Sequence, residues 1–428
     1  MAIAASLESR IHAGRVAAGE VLPPVRELAK SLKVSPATVA AAYGLLRSRG
    51  LATGDRRRGT RVRAQAELGQ WDVARSTDAR DKVDLFSGNP DPELLPSLSA
   101  ALKAVPIEPG LFGQLPDVAG LIRFAKGEFA ADGVDVHNVI VTAGGLDAIE
   151  RVLREHLRPG DRVAIEDPTF PTLLDLLAAS GFIPESMATD GEGPTPEGLN
   201  AALKRRAAAV VITPRAQNPT GACISAARAG DLRTVLKRYP AVMLIENDPL
   251  GPVAGVPVTT LTGARSRWAI VRSTTKFLGP DLRVALLAGD DLTLARVRAR
   301  QAVGMRWVSH FLQHLALALW SDPSSGRHLA RAAEAYARRR ERLLKELSTV
   351  GINVRAASGF NLWIPVRHEA DVVEFLAHGG WAVAAGERFR LQTGPGIRVT
   401  TSALAADDAR RFVSELARAL RTTAPALA

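Results

Sequence analysis

The 428-residue sequence holds a single cysteine, Cys223, so no disulfide can close within the chain and no cysteine-rich metal site can be built. A reducing, cytoplasmic setting is the default for such a composition. No apolar run approaches the ~20 residues that a bilayer-spanning helix requires. The longest candidates, such as Ala207–Ile212, are strand-sized, and no membrane partner is expected. The opening residues MAIAASLESR lack a basic start followed by an apolar stretch, which argues against a secretory signal. With 46% hydrophobic and 23% charged residues, the chain is neither largely disordered nor fibrous. Its length suggests two or three domains.

What charge there is, is unevenly spread. Residues 1–63 carry twelve Lys/Arg against four Asp/Glu, which is +8 of the chain's +11 and leaves +3 for the other 365 residues. A small basic module on a nearly neutral body suggests a polyanion-binding head. Its pattern agrees. In Pro24–Leu32, Val25, Leu28, Ala29 and Leu32 recur at helical spacing. Lys33–Val34 makes a turn, Ser35 stands where an N-cap belongs, and Pro36 occupies the first helical position. Val39, Tyr43 and Leu46 continue a second helix to about Arg49, stopped by Gly50. The two helices form a helix-turn-helix. Leu51–Thr53 and Thr60–Arg63 then flank a wing whose tip is Arg56, Arg57 and Arg58.

Leu22, Pro23, Arg26, Glu27, Leu28, Ala29, Leu32, Val34, Ser35, Thr38, Val39, Ala42, Tyr43, Leu46, Gly50, Leu51, Gly59, Thr60 and Val62 together resemble the winged helix-turn-helix of the GntR superfamily. The resemblance implies binding to double-stranded DNA. Phosphate contacts would come from Arg26 and Lys33, and backbone or minor-groove contacts from Arg56, Arg57 and Arg58. Ser35, Thr38 and Thr60 complete the candidate DNA-binding set. The second helix is rich in alanine (Ala37, Ala40, Ala41, Ala42), so Thr38 is its main polar group toward base edges.

Residues 64–82 are polar, carry no sustained apolar period and read as a linker. From Val83 onward apolar strands alternate with helices, which indicates a mostly parallel sheet covered by helices. Asn138–Thr142, Arg162–Ile165, Ala209–Thr213, Val242–Ile245, Trp268–Arg272 and Val284–Ala288 read as buried strands, with Leu146–Leu157 and Ala226–Arg238 among the helices. Ligands of such sheets bind beyond the carboxyl ends of the strands. The loops there carry Thr142-Ala143-Gly144-Gly145, Glu166-Asp167-Pro168-Thr169-Phe170, Gln217-Asn218-Pro219-Thr220-Gly221, Glu246-Asn247-Asp248-Pro249, and Ser273-Thr274-Thr275-Lys276 with Arg283 seven residues on.

In order and spacing these loops resemble fold-type I pyridoxal-phosphate enzymes, the aspartate aminotransferase superfamily. The resemblance implies pyridoxal 5'-phosphate as cofactor and Lys276 as the Schiff-base lysine. It places Gly144, Gly145, Ser273 and Arg283 at the phosphate, Phe170 on the ring and Asn218 at the ring oxygen. Arg398, in Gly396-Ile397-Arg398-Val399, matches the arginine that grips a substrate carboxylate. Where the superfamily holds the pyridine nitrogen with an Asp, this chain aligns Asn247, or Asp248 after a one-residue shift. The following Tyr is replaced by Pro249 and Leu250. Where relatives carry a phosphate-binding Tyr from the neighbouring subunit, only Phe112 is found.

The two halves joined resemble MocR-type transcriptional regulators. The expected architecture is an N-terminal winged helix-turn-helix (1–63), a linker (64–82) and an α/β fold-type I domain (83–428). The last divides into a large subdomain at about 130–305 and a small α+β subdomain at about 306–428. The expected function is a cytoplasmic, homodimeric DNA-binding regulator that senses an amino compound or pyridoxal phosphate itself. A working aminotransferase with an accessory DNA-binding head is the alternative. No metal site is expected.

Overall fold

The computed structural model describes residues 2–12, 15–17, 20–48, 52–55, 59–62, 82–106, 108, 110–263 and 265–422. The wing-tip arginines Arg56, Arg57 and Arg58 and nearly all of the expected linker lie outside the described residues.

The head opens with helix α1 (Ala2–His12), which the periodicity argument did not identify, followed by α2 (Val25–Leu32) and α3 (Pro36–Ser48). The turn between α2 and α3 is made by Lys33 in the left-handed conformation, φ 54°. The Thr38 amide donates to Ser35 Oγ at 3.1 Å, which caps α3 and satisfies a helix-start amide. Val39, Tyr43 and Leu46 turn inward on Leu7, Ile11, Leu22 and Ala29 to form the head's core. Burial of one such large side chain contributes about 1.5–3 kcal/mol. The Tyr43 hydroxyl donates to the Pro23 carbonyl at 2.7 Å, which satisfies the polar tip of that core ring. Strands β1 (Ala52–Asp55) and β2 (Gly59–Val62) pair antiparallel as the two sides of the wing, and Val21 bridges to Arg61 on the outer edge.

The body is built on an eight-stranded sheet. In chain order its strands are β4 (Val139–Thr142), β5 (Arg162–Asp167), β6 (Ile183–Asp190), β7 (Gly193–Pro194), β8 (Ala207–Ile212), β9 (Met243–Asp248), β10 (Trp268–Ser273) and β11 (Ala285–Gly289). In space the order is β4-β11-β10-β9-β8-β5-β6-β7. All run one way except β11 and β7, which are antiparallel to their neighbours. Strands buried on both faces, such as β8 (AAAVVI), need apolar side chains throughout, which is why they read as continuous runs.

A second sheet, of β12 (Asn361–Pro365), β13 (Trp381–Ala385) and β14 (Gly396–Thr400), takes a fourth strand from far upstream: β3 (Val83–Leu85) pairs parallel with β13. The small subdomain is therefore assembled from both ends of the body, not from residues after 306 alone. Leu85 is fully buried in its core with Leu362, Ile364, Ile397, Val399 and Phe412. A 27-residue helix, Pro323–Thr349, contributes Tyr336 to the large core and Leu343 and Leu347 to the small one, so it ties the two together.

Candidate cofactor and DNA-binding sites

Because β4, β5, β8, β9 and β10 share one direction, the residues after their carboxyl ends meet on one edge of the sheet. Arg283 precedes the reversed strand β11, so it reaches that same edge from the opposite sense. There, a cavity of about 380 Å³ is lined by Phe170, Thr213, Asn218, Asn247 and Lys276 of the large subdomain and by Arg388, Phe389 and Arg398 of the small one. Residues Phe86–Asn89, just after β3, close its remaining side.

Lys276 Nζ donates to the Gly88 carbonyl at 2.7 Å. Arg398 donates to the Phe86 carbonyl and, at 3.4 Å, to Asn218 Oδ1, and its guanidinium lies 5.0 Å from the Phe389 ring centroid. A lysine amine and an arginine fork thus enter one cavity from two subdomains. Gly144, Gly145, Ser273 and Arg283 are not among the residues that line this cavity; they form an adjoining cradle. Gly145 abuts both Ser273 and the Asn247 side chain, so the cradle joins the cavity at Asn247. Gly144 has φ +103°, and a Cβ there would sit 2.5 Å from Arg283 Nη2. Only glycine lets that guanidinium lie against the start of the helix Gly145–His156. Open amides beside a cation suit an anion, and the donor set fits the phosphate of the expected cofactor.

The structure decides the register that the sequence left open. Successive side chains of a strand point to opposite faces. On β9, Asn247 faces the cavity, while Asp248 points away and is fully buried between Arg215, at 2.8 and 3.0 Å, and Arg272, at 3.0 Å. Asp132 adds a second carboxylate to both arginines. Burial alone would raise the Asp248 pKa, but the two guanidinium groups outweigh it and hold it below the ordinary carboxylate value. No local motif signals this charged cluster, since Arg215, Asp132 and Arg272 are each unremarkable in the sequence. Of the two residues aligned with the superfamily's Tyr, Pro249 lines the cavity and Leu250 is buried in the core.

Two other carboxyl groups are buried near this edge. Glu166 on β5 accepts from the Thr213 amide and the Gln217 side chain, and Glu246 on β9 accepts from Thr260 Oγ1 and the Leu261 amide. Burial dominates over those hydrogen bonds and pushes both up to about 7. Phe112 stays 78% exposed, held edge-on by Trp307 at 5.7 Å.

On the head, Arg26, Lys33, Ser35 and Thr38 are all exposed, and Thr60 is half-buried. Ser35 Oγ and Thr38 Oγ1 lie 2.8 Å apart, so the polar tip of α3 is partly engaged within itself. Pro36, Ala37, Ala40 and Ala41 make up the rest of the exposed face. No described helix is long and apolar enough to cross a membrane.

Fold and site together define a DNA-binding head joined to an aminotransferase-type body. Residues 80–416 match the family Aminotransferase class I and II, and residues 1–62 match the Bacterial regulatory proteins, gntR family. The chain belongs to both, as a MocR-type transcriptional regulator whose family cofactor is pyridoxal phosphate. It is 39% identical over 420 residues to the Vitamin B6 salvage pathway transcriptional repressor PtsJ of Salmonella typhimurium, covering 97% of each chain. It is 26% identical over 409 residues to the Uncharacterized HTH-type transcriptional regulator YjiR of Escherichia coli, covering 87% of each. Among solved structures, the kynurenine aminotransferase of Pyrococcus horikoshii superposes with a TM-score of 0.73 at 20% identity, over 82% of this chain and 94% of that one.

Proposed function

We propose that this regulator holds pyridoxal phosphate in the body and changes its grip on DNA with the level of that cofactor. The observation that carries the reading is the convergence of Lys276, Asn218, Asn247 and Arg398 on one cavity beside the Gly144–Arg283 cradle. The name of the Salmonella relative, a repressor of vitamin B6 salvage, supports the cofactor itself as the signal. An amino compound is the second candidate signal, and Arg398 is the residue that favours it, since a planar fork suits a carboxylate. The working unit is a homodimer in the cytoplasm, in which paired heads meet paired DNA half-sites.

When bound, pyridoxal phosphate supplies an aldehyde that captures amines and a ring that withdraws electrons from them. The residues divide the rest. Arg283, Ser273 and the amides of Gly144 and Gly145 would neutralise and orient the phosphate. Phe170 would cover the ring, Asn218 would donate to its oxygen, and Lys276 would supply the amine for the aldehyde. Asn247, which lines the cavity, would face the ring nitrogen. An amide can donate a hydrogen bond there but cannot stabilise a proton, so Asn247 would leave the ring a weak electron acceptor. Capture of an amine requires less of the ring than removal of a carbon-bound proton does. The site therefore favours binding over turnover. In the head, Lys33 and Arg26 would contact phosphates, and Arg56, Arg57 and Arg58 would supply backbone or minor-groove contacts.

The test is an absorbance titration with pyridoxal phosphate on the wild type and on Lys276→Ala, run beside DNA binding with and without the cofactor. A visible band that depends on Lys276, together with a cofactor-dependent shift in DNA affinity, is expected. Rapid keto-acid formation would favour the aminotransferase alternative. DNA affinity indifferent to the cofactor but responsive to an amino acid would move the signal to the amino compound.

A further inference from the structure

The body's positive charge is not diffuse. Residues beyond position 63 carry a net +3, yet the helix Pro323–Thr349 alone holds seven Lys/Arg against three Asp/Glu, or +4. The rest of the body is thus slightly acidic, and one helix holds its whole cationic excess.

That helix sorts its cations by face. At 100° per residue, Arg327, Arg331, Arg338, Arg342 and Lys345 fall within a sector of about 60°. All five are exposed. The opposite sector carries Leu329, Ala332, Tyr336, Leu343 and Leu347, which are buried. The remaining two arginines turn inward and serve the fold. Arg339 pairs with Asp91 at 2.8 Å, and Arg340 donates to the Gly359 carbonyl at 2.8 Å. The helix's carboxylates neutralise little of the outer row. Glu341 pairs with Arg340 and Glu346 with Arg410, which leaves Glu334 against Arg338 at 3.5 Å, both 69% exposed. An arginine row with its long side chains in water costs conformational entropy on binding, yet offers a straight line of charge. From Arg331 to Lys345 it extends about 21 Å, the rise of ~6 base pairs.

We infer that this outer face of Pro323–Thr349 is a second DNA-contact surface, which meets the phosphates of duplex flanking the base pairs held by the heads. Charge complementarity favours this occupant, and the same chain already carries a DNA-binding head, so flanking duplex is delivered to the body at high local concentration. The contact is to phosphates and carries no sequence preference of its own. It rests on the DNA-binding function of the head and is independent of which signal the cavity receives.

The experiment measures affinity against salt concentration for the full chain. One probe is a 60-base-pair duplex obtained by in-vitro selection on the protein, and the other is the same duplex trimmed to the base pairs the heads protect, with lengths of about these sizes. The longer probe should bind more tightly and with a steeper salt dependence. In the variant Arg331→Gln/Arg338→Gln/Arg342→Gln, affinity for the longer probe should fall at least ~10-fold at moderate salt and the slope by up to ~2.7, about 0.9 per contact. The trimmed probe should be unaffected. The variant Arg331→Lys/Arg338→Lys/Arg342→Lys should keep the wild-type slope. Equal slopes for both probes in the wild type, or a slope unchanged by the glutamines, would overturn the inference. Absence of salt-dependent binding to either probe would instead refute the DNA-binding function of the head. Should the glutamine variant fail to fold, the wild-type comparison of the two probes decides the matter by itself.

Discussion

Replacing Asp248 by asparagine should lower the stability of the fold while sparing the cofactor's electronics, and replacing Asn247 by aspartate should spare the fold and change the electronics. Asp248 is fully buried and bonded to Arg215 and Arg272, themselves 4% and 2% exposed. Removing one partner of a buried ion pair leaves an uncompensated charge and costs about 3–5 kcal/mol. Asp132 remains on both arginines, so the lower end of that range applies. Unfolding entropy of about 2.1 cal/mol/K per residue over the ~350 residues of the body converts ~3 kcal/mol into a fall in Tm of about 4 °C. The assay is thermal melting with and without pyridoxal phosphate, beside the absorbance spectrum of each loaded variant. Asp248→Asn should melt lower with an unshifted cofactor band. Asn247→Asp should shift the band and raise the rate of keto-acid formation from a test amino acid at least ~10-fold, since a carboxylate can hold a proton on the ring nitrogen. The reasoning fails if Asp248→Asn melts normally and alters the spectrum, for then Asp248 and not Asn247 faces the ring.

Three further outcomes follow from the same geometry. Glu246, pushed up to about 7 by burial, is protonated in the folded chain where the unfolded chain is already ionised. Its contribution is therefore complete at pH values below the ordinary value of 4.5 and is lost as pH rises through about 7, up to ~3 kcal/mol in all; denaturant melts across this window should be flatter for Glu246→Gln. Gly144→Ala places a Cβ 2.5 Å from Arg283 Nη2 at φ +103°, so pyridoxal phosphate should bind at least ~10-fold more weakly, and an unchanged titration would remove the phosphate role from the cradle. Lys33→Ala on the head should weaken binding to all DNA sequences alike and flatten the salt slope by ~0.9, whereas a sequence-selective loss would show that Lys33 reads bases.

Much of this architecture was visible beforehand because its signals are local. Ser35 followed by Pro36 caps a helix wherever it occurs, and a run such as Ala209–Ile212 has few stable placements other than a doubly covered strand. The candidate cofactor residues could be sought in the loops after those strands because a parallel sheet gathers its carboxyl ends at one edge. What stayed hidden is non-local. Nothing in Val83-Asp84-Leu85 announces that it will pair with Trp381–Val383, almost three hundred residues on. The orientation of Asn247 against Asp248 depends on strand phase, and one residue of shift inverts it. The cluster of half-buried Asp132 with buried Arg215, Asp248 and Arg272 is drawn from four separate stretches of the chain and has no spacing to find.

The pattern of what this chain keeps and what it has changed separates holding a cofactor from using it. Under the proposed function, Lys276, Arg283, Gly144 and Asn218 would all act on groups that must be held in any bound state: the aldehyde, the phosphate and the ring oxygen. Asn247 and Pro249 line the cavity where a carboxylate and a phenol would tune the ring, Leu250 is buried in the core, and none of the three has an ionisable side chain. Anchoring and electronic tuning are thus decoupled in one cavity. Arg398 sits between these categories, since a carboxylate fork serves sensing and catalysis equally. Its removal is accordingly the sharper test of the signal than of the cofactor: Arg398→Gln should leave the Lys276-dependent band in place. If the cofactor alone is sensed, the DNA response should survive as well; if an amino acid is sensed, its half-saturating concentration should rise at least ~10-fold.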